Sequence, residues 1–461
     1  MSLRDRRCVL AALLGGAVLA PSASADTYRT TFVSLDKGEP AVFLEPLHPG
    51  AKAAIGVFAM HDNADNLRLS AHNNPCSQLA ERGYRVLCAN SSTSKSGFFT
   101  DDDIEKLLLN VKQGVAWLKS YAPVKRVVVF GHSGGGEMMA AYQNVAENGV
   151  GACRGPDRIS PCSDALAGMP AADGVMLIDS VMGGPVSTLI SLDPAVTRDD
   201  EGARIDPSLD MYNPANGFDP AGSHYSAAFE QRFFRAHGAR MNRLIDTAKE
   251  RLARIEAGGG KFGDDEVFVI AGGNGAMNRL NAQDLSLQSR TEGEWPLLHR
   301  DGRVTNEIVR SVRVPRFTQS TTPLLGRGAI TTTVRRFLST WAVRTLPDYG
   351  YGPTRYRGID YRSSWAVEDD SIAGITRPLL QMGMTGSYEF FTSEQARARA
   401  GSADKTLAYV EGATHDFDPC RECAVAQGHP ADYYGDTVQT LFDYIDAWLS
   451  KPGRFLATGR K

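Results

Sequence analysis

The stretch VVVFGHSGGGEMMAAY, from Val127 to Tyr142, runs an apolar strand into a glycine-rich turn and then directly into a helix. A phosphate-binding loop of the form GxxxxGK[ST] also joins a strand to a helix, but the sequence from Gly131 onward lacks its lysine and its terminal hydroxyl. The sequence GHSGG has instead the form GxSxG, in which a strained turn with small neighbours presents a nucleophilic serine. We therefore predict Ser133 as a nucleophile, with a plain glycine-rich turn as the alternative.

The segments on either side of this turn alternate between short apolar runs and amphipathic helical patterns. Short apolar runs are typical of strands that are buried on both faces of a parallel sheet. They occur at 54–60, 84–89, 125–130, 174–178, 378–382 and 406–410, and helical patterns occur at 101–120, 137–147 and 433–449. This order predicts an α/β fold with a mostly parallel sheet, helices on both faces and an opening antiparallel pair at 30–35 and 40–44.

The alternation breaks between residues 181 and 376, where buried-strand patterns are scarce. An interruption between two late strands predicts a large, mainly helical cap above the carboxyl edge of the sheet, where open α/β sheets bind ligands. The predicted division is a signal peptide at 1–25, a first part of the core at 26–180, the cap at 181–376 and a last part of the core at 377–461.

One long helical pattern, from Ala227 to Ala257, dominates the predicted cap. Phe229, Phe233 and Met241 lie along one side of it. Apolar residues at this spacing belong more often to a hydrophobic core than to a binding pocket, so we expect a core here.

A serine hydroxyl needs a base to take its proton before it attacks a carbonyl carbon. In chains with this turn the histidine comes after the nucleophile and the acid, behind the last strand. Of the nine histidines, His415 alone follows the last predicted strand, in the sequence TLAYVEGATHDF. We predict His415 as the base, with a purely structural histidine as the alternative.

A carboxylate must orient the imidazole and stabilise its protonated form. It usually follows the strand before the histidine strand, but that place reads QMGMTGSYEFFTSE, with no aspartate and only Glu389 and Glu394 further along. Asp179 follows the run at 174–178, one strand earlier on the same edge. We favour Asp179 as the acid and keep Glu389 and Glu394 as alternatives. A strand-end aspartate can also cap a helix or brace a loop.

Two backbone N–H groups should bind the oxyanion that forms when the serine attacks. One is expected from Gly134, the residue after the nucleophile. The other is expected from Asp62 or Asn63, in the sequence MHDNADN that follows the run at 54–60.

The strand order, the turn at 131–135 and the late His415 together resemble the α/β-hydrolase superfamily. The resemblance covers residues 30–180 and 376–449. It implies a serine esterase, lipase or related acyl hydrolase that cleaves a carboxylic ester through an acyl-enzyme. The chain departs from the superfamily pattern where the acid is missing after the usual strand, which leaves the third triad member open. The cap resembles superfamily caps in position only, so it indicates no acyl preference.

The same groups could cleave an amide, as an exported peptidase or amidase, or transfer the acyl group to an alcohol. A non-catalytic binding protein on a hydrolase scaffold is an alternative of another class, against which the presence of both Ser133 and His415 argues. The expected substrate is a small-molecule or polymeric ester.

The N-terminal segment has the pattern of a signal peptide. Three arginines, at positions 4, 6 and 7, precede an apolar run at 9–20 and the small-residue cleavage pattern ASA at 23–25. We expect an exported protein, periplasmic or secreted, without stable membrane insertion because the apolar run is too short to span a bilayer. The adjacent arginines leave twin-arginine export open beside the general route.

Six cysteines remain after the predicted cleavage, and six allow fifteen pairings. Short loops favour Cys153 with Cys162 and Cys420 with Cys423, which leaves Cys76 with Cys88. A redox CxxC motif is the alternative for the second pair. It should open a helix directly after a strand, whereas this motif lies in a loop containing proline and aspartate, so we expect a structural disulfide.

Composition excludes several other classes of function. The formal net charge of −3 comes without a run of lysine or arginine, so we expect no nucleic-acid partner. We also expect no cofactor and no metal, because the chain lacks HExxH, clustered His/Cys ligands and a GxGxxG fingerprint after its first strands. The sequence does not indicate an oligomeric state.

Overall fold

The computed structural model describes residues 27–35, 39–62, 65–92, 102–198, 205–272, 279–315 and 329–457. The predicted signal peptide and Asn63 lie outside these residues. The strands are β1 (Tyr28–Ser34), β2 (Pro40–Pro46), β3 (Ile55–His61), β4 (Arg85–Asn90), β5 (Arg126–His132), β6 (Gly174–Ile178), β7 (Val267–Ala271), β8 (Arg290–Leu298), β9 (Val304–Arg310), β10 (Ala329–Thr333), β11 (Arg344–Tyr351), β12 (Tyr356–Asp360), β13 (Leu379–Met384) and β14 (Lys405–Val410). The α-helices are α1 (Pro75–Glu81), α2 (Ile104–Ser120), α3 (Gly134–Asn148), α4 (Gly184–Ser191), α5 (Ala227–Glu256), α6 (Leu280–Gln283), α7 (Val334–Arg336), α8 (Glu368–Ser371), α9 (Thr392–Arg399), α10 (Arg421–Ala426) and α11 (Thr437–Leu449).

Within the described residues, ten strands form one central sheet in the order β1-β2-β4-β3-β5-β6-β13-β14-β8-β9. Six neighbouring strands of this sheet run parallel to one another, in the order β4, β3, β5, β6, β13 and β14. The first two strands form an antiparallel pair at one end of the sheet. The predicted α/β class, with a mostly parallel sheet and an opening antiparallel pair, is confirmed.

The central strands are apolar along their whole length because helices cover both faces of the sheet. All seven residues of β3 are buried, for example. On one face the strands pack against α2 and α3, and on the other face against α1 and α11, which gives two separate hydrophobic cores. Continuous burial of this kind replaces the inward–outward alternation of a half-exposed sheet. It also fixes the carboxyl ends of the strands, where the loops of the site begin.

The insertion is built around α5, a helix of 30 residues that begins after Ser226, whose side chain accepts the N–H of Phe229. Phe229, Phe233 and Met241 are buried in the core of the insertion, as expected from their spacing. Strands that the sequence pattern did not predict surround this helix. Two of them, β7 and β10, form a small antiparallel pair, and β11 and β12 form another.

The strands β8 and β9 extend the central sheet instead of lying above it. Leu297 and Leu298 of β8 pair in parallel with the end of β14, and β9 pairs antiparallel with β8. The chain from 181 to 376 therefore both covers the sheet and lengthens it. The domain limits at 180 and 376 stay a prediction, because this segment shares the sheet with the core.

Three disulfides join the cysteines of the described chain in the pairing that short loops favoured: Cys76–Cys88, Cys153–Cys162 and Cys420–Cys423. The third closes the start of α10, just beyond the loop that carries His415. The expectation that this CxxC motif lies in a loop was therefore wrong, although the helix it opens does not directly follow a strand. Within the residues described, a membrane-spanning helix is not found, since none combines sufficient length with sufficient hydropathy.

Candidate active site

Ser133 stands on the turn between β5 and α3 in a strained backbone conformation. Its φ of 54° and ψ of −127° lie outside the regions that L-residues usually adopt. The turn closes so tightly that a Cβ on Gly131 would collide with the backbone of Gly135. A Cβ on Gly135 would lie 2.7 Å from the carbonyl oxygen of Met60. The glycines of GxSxG are therefore needed for close backbone approach, and the turn exposes the serine hydroxyl at the carboxyl edge of the sheet.

The structure brings three of the predicted residues into one chain of hydrogen bonds. His415 Nε2 lies 2.8 Å from Ser133 Oγ. His415 Nδ1 lies 2.6 Å from Asp179 Oδ2. The other carboxylate oxygen of Asp179 accepts the N–H of Met384 at 3.1 Å, which holds the buried carboxylate in place. A hydroxyl, an imidazole and a carboxylate in this order can transfer the hydroxyl proton to the ring.

Backbone strain is concentrated around these three residues. In the described chain four residues other than glycine have positive φ, and Ser133, Asp179 and Phe417 are three of them. Phe417 lies two residues after His415. Such conformations cost free energy and persist where the surrounding structure imposes them, often at functional sites.

The two alternative acids lie elsewhere and have other partners. Glu389 accepts a hydrogen bond from Arg279 at 2.7 Å, and both side chains are buried. Glu394 accepts the N–H groups of Glu292 and Gly293 and the indole N–H of Trp295. The geometry therefore puts Asp179, rather than Glu389 or Glu394, at the outer nitrogen of His415.

The electrostatic surroundings of His415 raise its pKa above the ordinary value of 6.5. Burial is the largest single influence and disfavours the charged ring, but the hydrogen bond and negative charge of Asp179, together with the nearby charges of Glu389 and Asp416, outweigh it. Glu389 and Asp416 act in the same direction as Asp179. A base with a raised pKa binds the proton of the serine more firmly during attack.

His132 contributes to the site in a way that sequence reasoning missed. Its Nε2 donates to the backbone carbonyl of His415 at 2.7 Å, and its ring packs 4.4 Å from that of Phe417. Burial, followed by the nearby His415 and His61, lowers the pKa of His132 well below its usual value, so the ring stays neutral. The motif showed His132 only as a free position, because its contact lies 283 residues away in sequence.

A second group that the sequence did not reveal packs against the His415 ring. The Tyr388 ring stacks on His415 with centroids 5.6 Å apart. The guanidinium of Arg279, from the insertion, lies 5.0 Å above the Tyr388 ring and pairs with Glu389. Glu389, predicted only as an alternative acid, thus braces the wall of the site through Arg279.

The predicted oxyanion-binding groups are only partly described. Gly134 is the first residue of α3, and the first N–H groups of a helix have no partner within it. Asp62 follows β3 and packs against Gly134, so closely that a Cβ on Gly134 would lie 2.5 Å from Asp62 Oδ2. Asn63 lies outside the described residues. The roles of Gly134, Asp62 and Asn63 remain predictions.

Two cavities open beside Ser133. One, of about 90 Å³, lies between the end of β6, α4 and the insertion. The other is a wider groove of about 500 Å³ along His61, His132 and His415. Ser133 lines both of these cavities. Among the residues described, groups of His, Cys, Asp and Glu suited to hold a metal ion are not found.

Comparison with known proteins finds similarity in structure and not in sequence. No protein-family model and no curated protein matches the chain. A hypothetical protein of Pseudomonas aeruginosa is 14% identical over 92% of this chain and 93% of its own, with a TM-score of 0.40. Est1E of Butyrivibrio proteoclasticus, with bound ferulic acid, is 12% identical over 91% and 97%, with a TM-score of 0.38. Carboxyl esterase 2 of Tuber melanosporum is 10% identical over 93% and 89%, with a TM-score of 0.39.

Proposed function

We propose that this chain, whose strand order is that of the α/β-hydrolase fold, is an exported serine hydrolase that cleaves carboxylic esters. The observation that carries the proposal is the hydrogen-bond chain from Ser133 Oγ through both ring nitrogens of His415 to Asp179. The strained turn at Ser133 supports it, because a structural serine has no need of positive φ.

In the proposed reaction Ser133 Oγ attacks the ester carbonyl carbon while His415 Nε2 takes the hydroxyl proton. Asp179 stays ionised and accepts the Nδ1–H of His415, which fixes the tautomer and stabilises the imidazolium. The N–H of Gly134, with that of Asp62 or Asn63, binds the oxyanion of the tetrahedral intermediate. The intermediate collapses, His415 gives its proton to the departing alcohol, and the acyl group stays on Ser133.

Water then completes the turnover by the same steps. His415 takes a proton from water, the resulting hydroxide attacks the acyl carbon, and Ser133 leaves with the proton from His415. An ester is the substrate that makes the smallest demand on these groups, since an alcohol is a better leaving group than an amine. The chemistry of the leaving group therefore favours an ester over an amide as the proposed substrate.

A fluorophosphonate probe combined with a substrate panel tests the proposal. We expect the probe to label Ser133, located by peptide mass spectrometry, and p-nitrophenyl esters to be cleaved faster than aminoacyl amides of equal size. Folded protein that is neither labelled nor active would be a binding protein on a hydrolase scaffold. Faster cleavage of amides would make it a peptidase, and product retained on an added alcohol would make it an acyltransferase.

Export is part of the proposal and has its own test. The three disulfides of the described chain support passage through an oxidising compartment, where such bonds persist. Thiol titration of the denatured, unreduced mature protein should find none of its six cysteines reactive. Two or more reactive thiols would contradict export. The mass of the mature protein should show cleavage after Ala25.

A further inference from the structure

The wider groove beside Ser133 is the side of the site on which the proposed acid stands. His415 lines this groove, and it is not among the described residues that line the smaller cavity. In the proposed reaction His415 gives its proton to the oxygen of the departing alcohol. A general acid must lie within hydrogen-bond reach of the atom that it protonates. The alcohol part of the ester therefore leaves on the side of the groove, whose volume is about 500 Å³.

Two loops form the walls of this groove, and hydrogen bonds fix both of them. One loop comprises residues 65–74, before α1, and the other follows β14 and carries His415. Asn73 Nδ2 donates to the backbone carbonyl of Asp416 at 3.0 Å and so ties the two loops together. Asn74 caps the start of α1 through its side chain. The groove thus has a defined shape, which lowers the cost of ordering it around a substrate.

Two charged side chains of the groove are available to a ligand. Arg68 and Asp416 line the groove and are exposed. Within the described residues neither side chain has a hydrogen bond or an ion pair. Asp65, a further carboxylate of the groove, differs because it accepts a hydrogen bond from Asn90 Nδ2 at 2.8 Å. The groove therefore offers one guanidinium, which can only donate, and one carboxylate, which can only accept.

The pair of charges narrows the chemistry of the alcohol. A hydroxyl group both donates and accepts, so an alcohol with several hydroxyls can bond to Arg68 and to Asp416. An alcohol that carries a carboxylate would meet Asp416 and Asp65, and one that carries an ammonium group would meet Arg68, with a like-charge cost in either case. A plain alkyl alcohol would displace water from both charges and give nothing in return.

Resting on the proposed function, we infer that the alcohol component of the substrate is an uncharged polyhydroxylated alcohol, such as a sugar, bound in the groove by Arg68 and Asp416. The inference concerns the group that leaves, whereas the hydrogen-bond chain from Ser133 to Asp179 concerns the bond that breaks. The two can therefore fail separately.

The test compares butyrate esters that differ in the alcohol alone. The sugar esters are methyl 6-O-butyrylglucopyranoside and its galactose epimer, and the reference is (tetrahydropyran-2-yl)methyl butyrate. All three release a primary alcohol next to a ring oxygen, so the acidity of the leaving group is matched, but the reference has no ring hydroxyls. We expect kcat/KM for at least one sugar ester to exceed that for the reference by roughly tenfold, because hydrogen bonds to charged groups are the stronger ones.

The same comparison separates the other outcomes. Equal values of kcat/KM for the three esters would overturn the inference and leave the proposed function intact. Butyrylcholine and butyryloxyacetate test the charged alternatives. If either is cleaved faster than both sugar esters, the groove recognises charge and the inference is wrong. Absence of both turnover and fluorophosphonate labelling would overturn the proposed function and the inference together.

Variants assign the preference to the groove. Arg68→Met and Asp416→Ala should each reduce the ratio of kcat/KM for the preferred sugar ester to that for the reference toward one. Asp416 also raises the pKa of His415, but this effect cancels in the ratio because both esters use the same base. Arg243→Met is the matched control, since Arg243 is an exposed arginine of α5 that does not line the groove. An unchanged ratio in both groove variants, or an equal fall in Arg243→Met, would overturn the inference.

Discussion

The carboxyl edge of the central sheet and the insertion above it place their functional residues in different ways. At the edge, Ser133 and Asp179 come directly after β5 and β6, and His415 lies five residues after β14. In the insertion, Arg279 lies far from these strands in sequence and reaches the site only through tertiary packing, against Tyr388 and Glu389. The comparison indicates that strand ends place the residues of the hydrogen-bond chain, while long-range packing places the residues of the wall beside it.

Replacing Ser133 should abolish catalysis without changing the stability of the fold. We expect Ser133→Ala to lose on the order of 10⁴-fold or more in kcat, because no other group can form the acyl-enzyme. Its Tm should match that of the wild type, since the hydroxyl takes part in little packing. A variant that keeps more than about a tenth of the wild-type rate would exclude Ser133 as the nucleophile.

Replacing the acid should also lower kcat without unfolding the protein, but by a smaller factor than replacing Ser133. Asp179→Asn leaves the wrong tautomer of His415 populated and an unsupported imidazolium, so we expect a loss of roughly 10²-fold or more in kcat. Steady-state kinetics on one ester, with circular dichroism as a check of folding, measures the loss.

The two glutamates are the controls for this prediction. Glu394→Gln should keep most of the activity. Glu389→Gln should retain a chemically intact triad but lose stability by about 3–5 kcal/mol, because it leaves Arg279 buried without its ion pair. If Asp179→Asn keeps its activity while Glu389→Gln folds but is inactive, the acid would be Glu389 and not Asp179.

The insertion offers the converse case, in which stability changes and chemistry does not. Phe233 is fully buried in the core of the insertion and does not line the cavity at Ser133. We expect Phe233→Ala to lower the free energy of unfolding by about 3–5 kcal/mol, measured by urea denaturation. The folded fraction should still react with a fluorophosphonate probe. Loss of labelling in a folded variant would mean that α5 belongs to the catalytic centre.

The difference between residues placed by strand ends and residues placed by long-range packing explains what the sequence could and could not predict. The proximity of Ser133, Asp179 and His415 could be predicted because each of them follows a buried apolar run. The strands β8 and β9 were missed because their residues, such as RTEGEWPLL in β8, show no continuous apolar run. The contacts of Arg279 and Tyr388 at the site were missed because contacts between distant segments leave no local pattern.

Substitution of His132 tests whether a residue outside the chain of Ser133, His415 and Asp179 helps to position His415. Its hydrogen bond to the His415 carbonyl fixes the loop that carries the base. We expect His132→Phe to lower kcat by roughly tenfold through misplacement of His415, with KM little changed. His132→Gln, which keeps a donor, should recover part of the loss. Equal kcat in the wild type and His132→Phe would show that this hydrogen bond is not needed to position His415.

The smallest effect we predict is in the pH dependence of kcat/KM. His415 must be neutral to accept the serine proton, so activity rises as pH passes through its pKa in the free enzyme. Because Asp179, with Glu389 and Asp416, raises that pKa above 6.5 despite burial, the midpoint of the acid limb should lie above 6.5. His132 stays neutral throughout, since its pKa is well below its usual value. In Asp179→Asn the residual activity should show a midpoint at lower pH, because the main group that raises the pKa is gone. A wild-type midpoint at or below 6.5, or no shift in the variant, would mean that Asp179 does not govern the charge of His415.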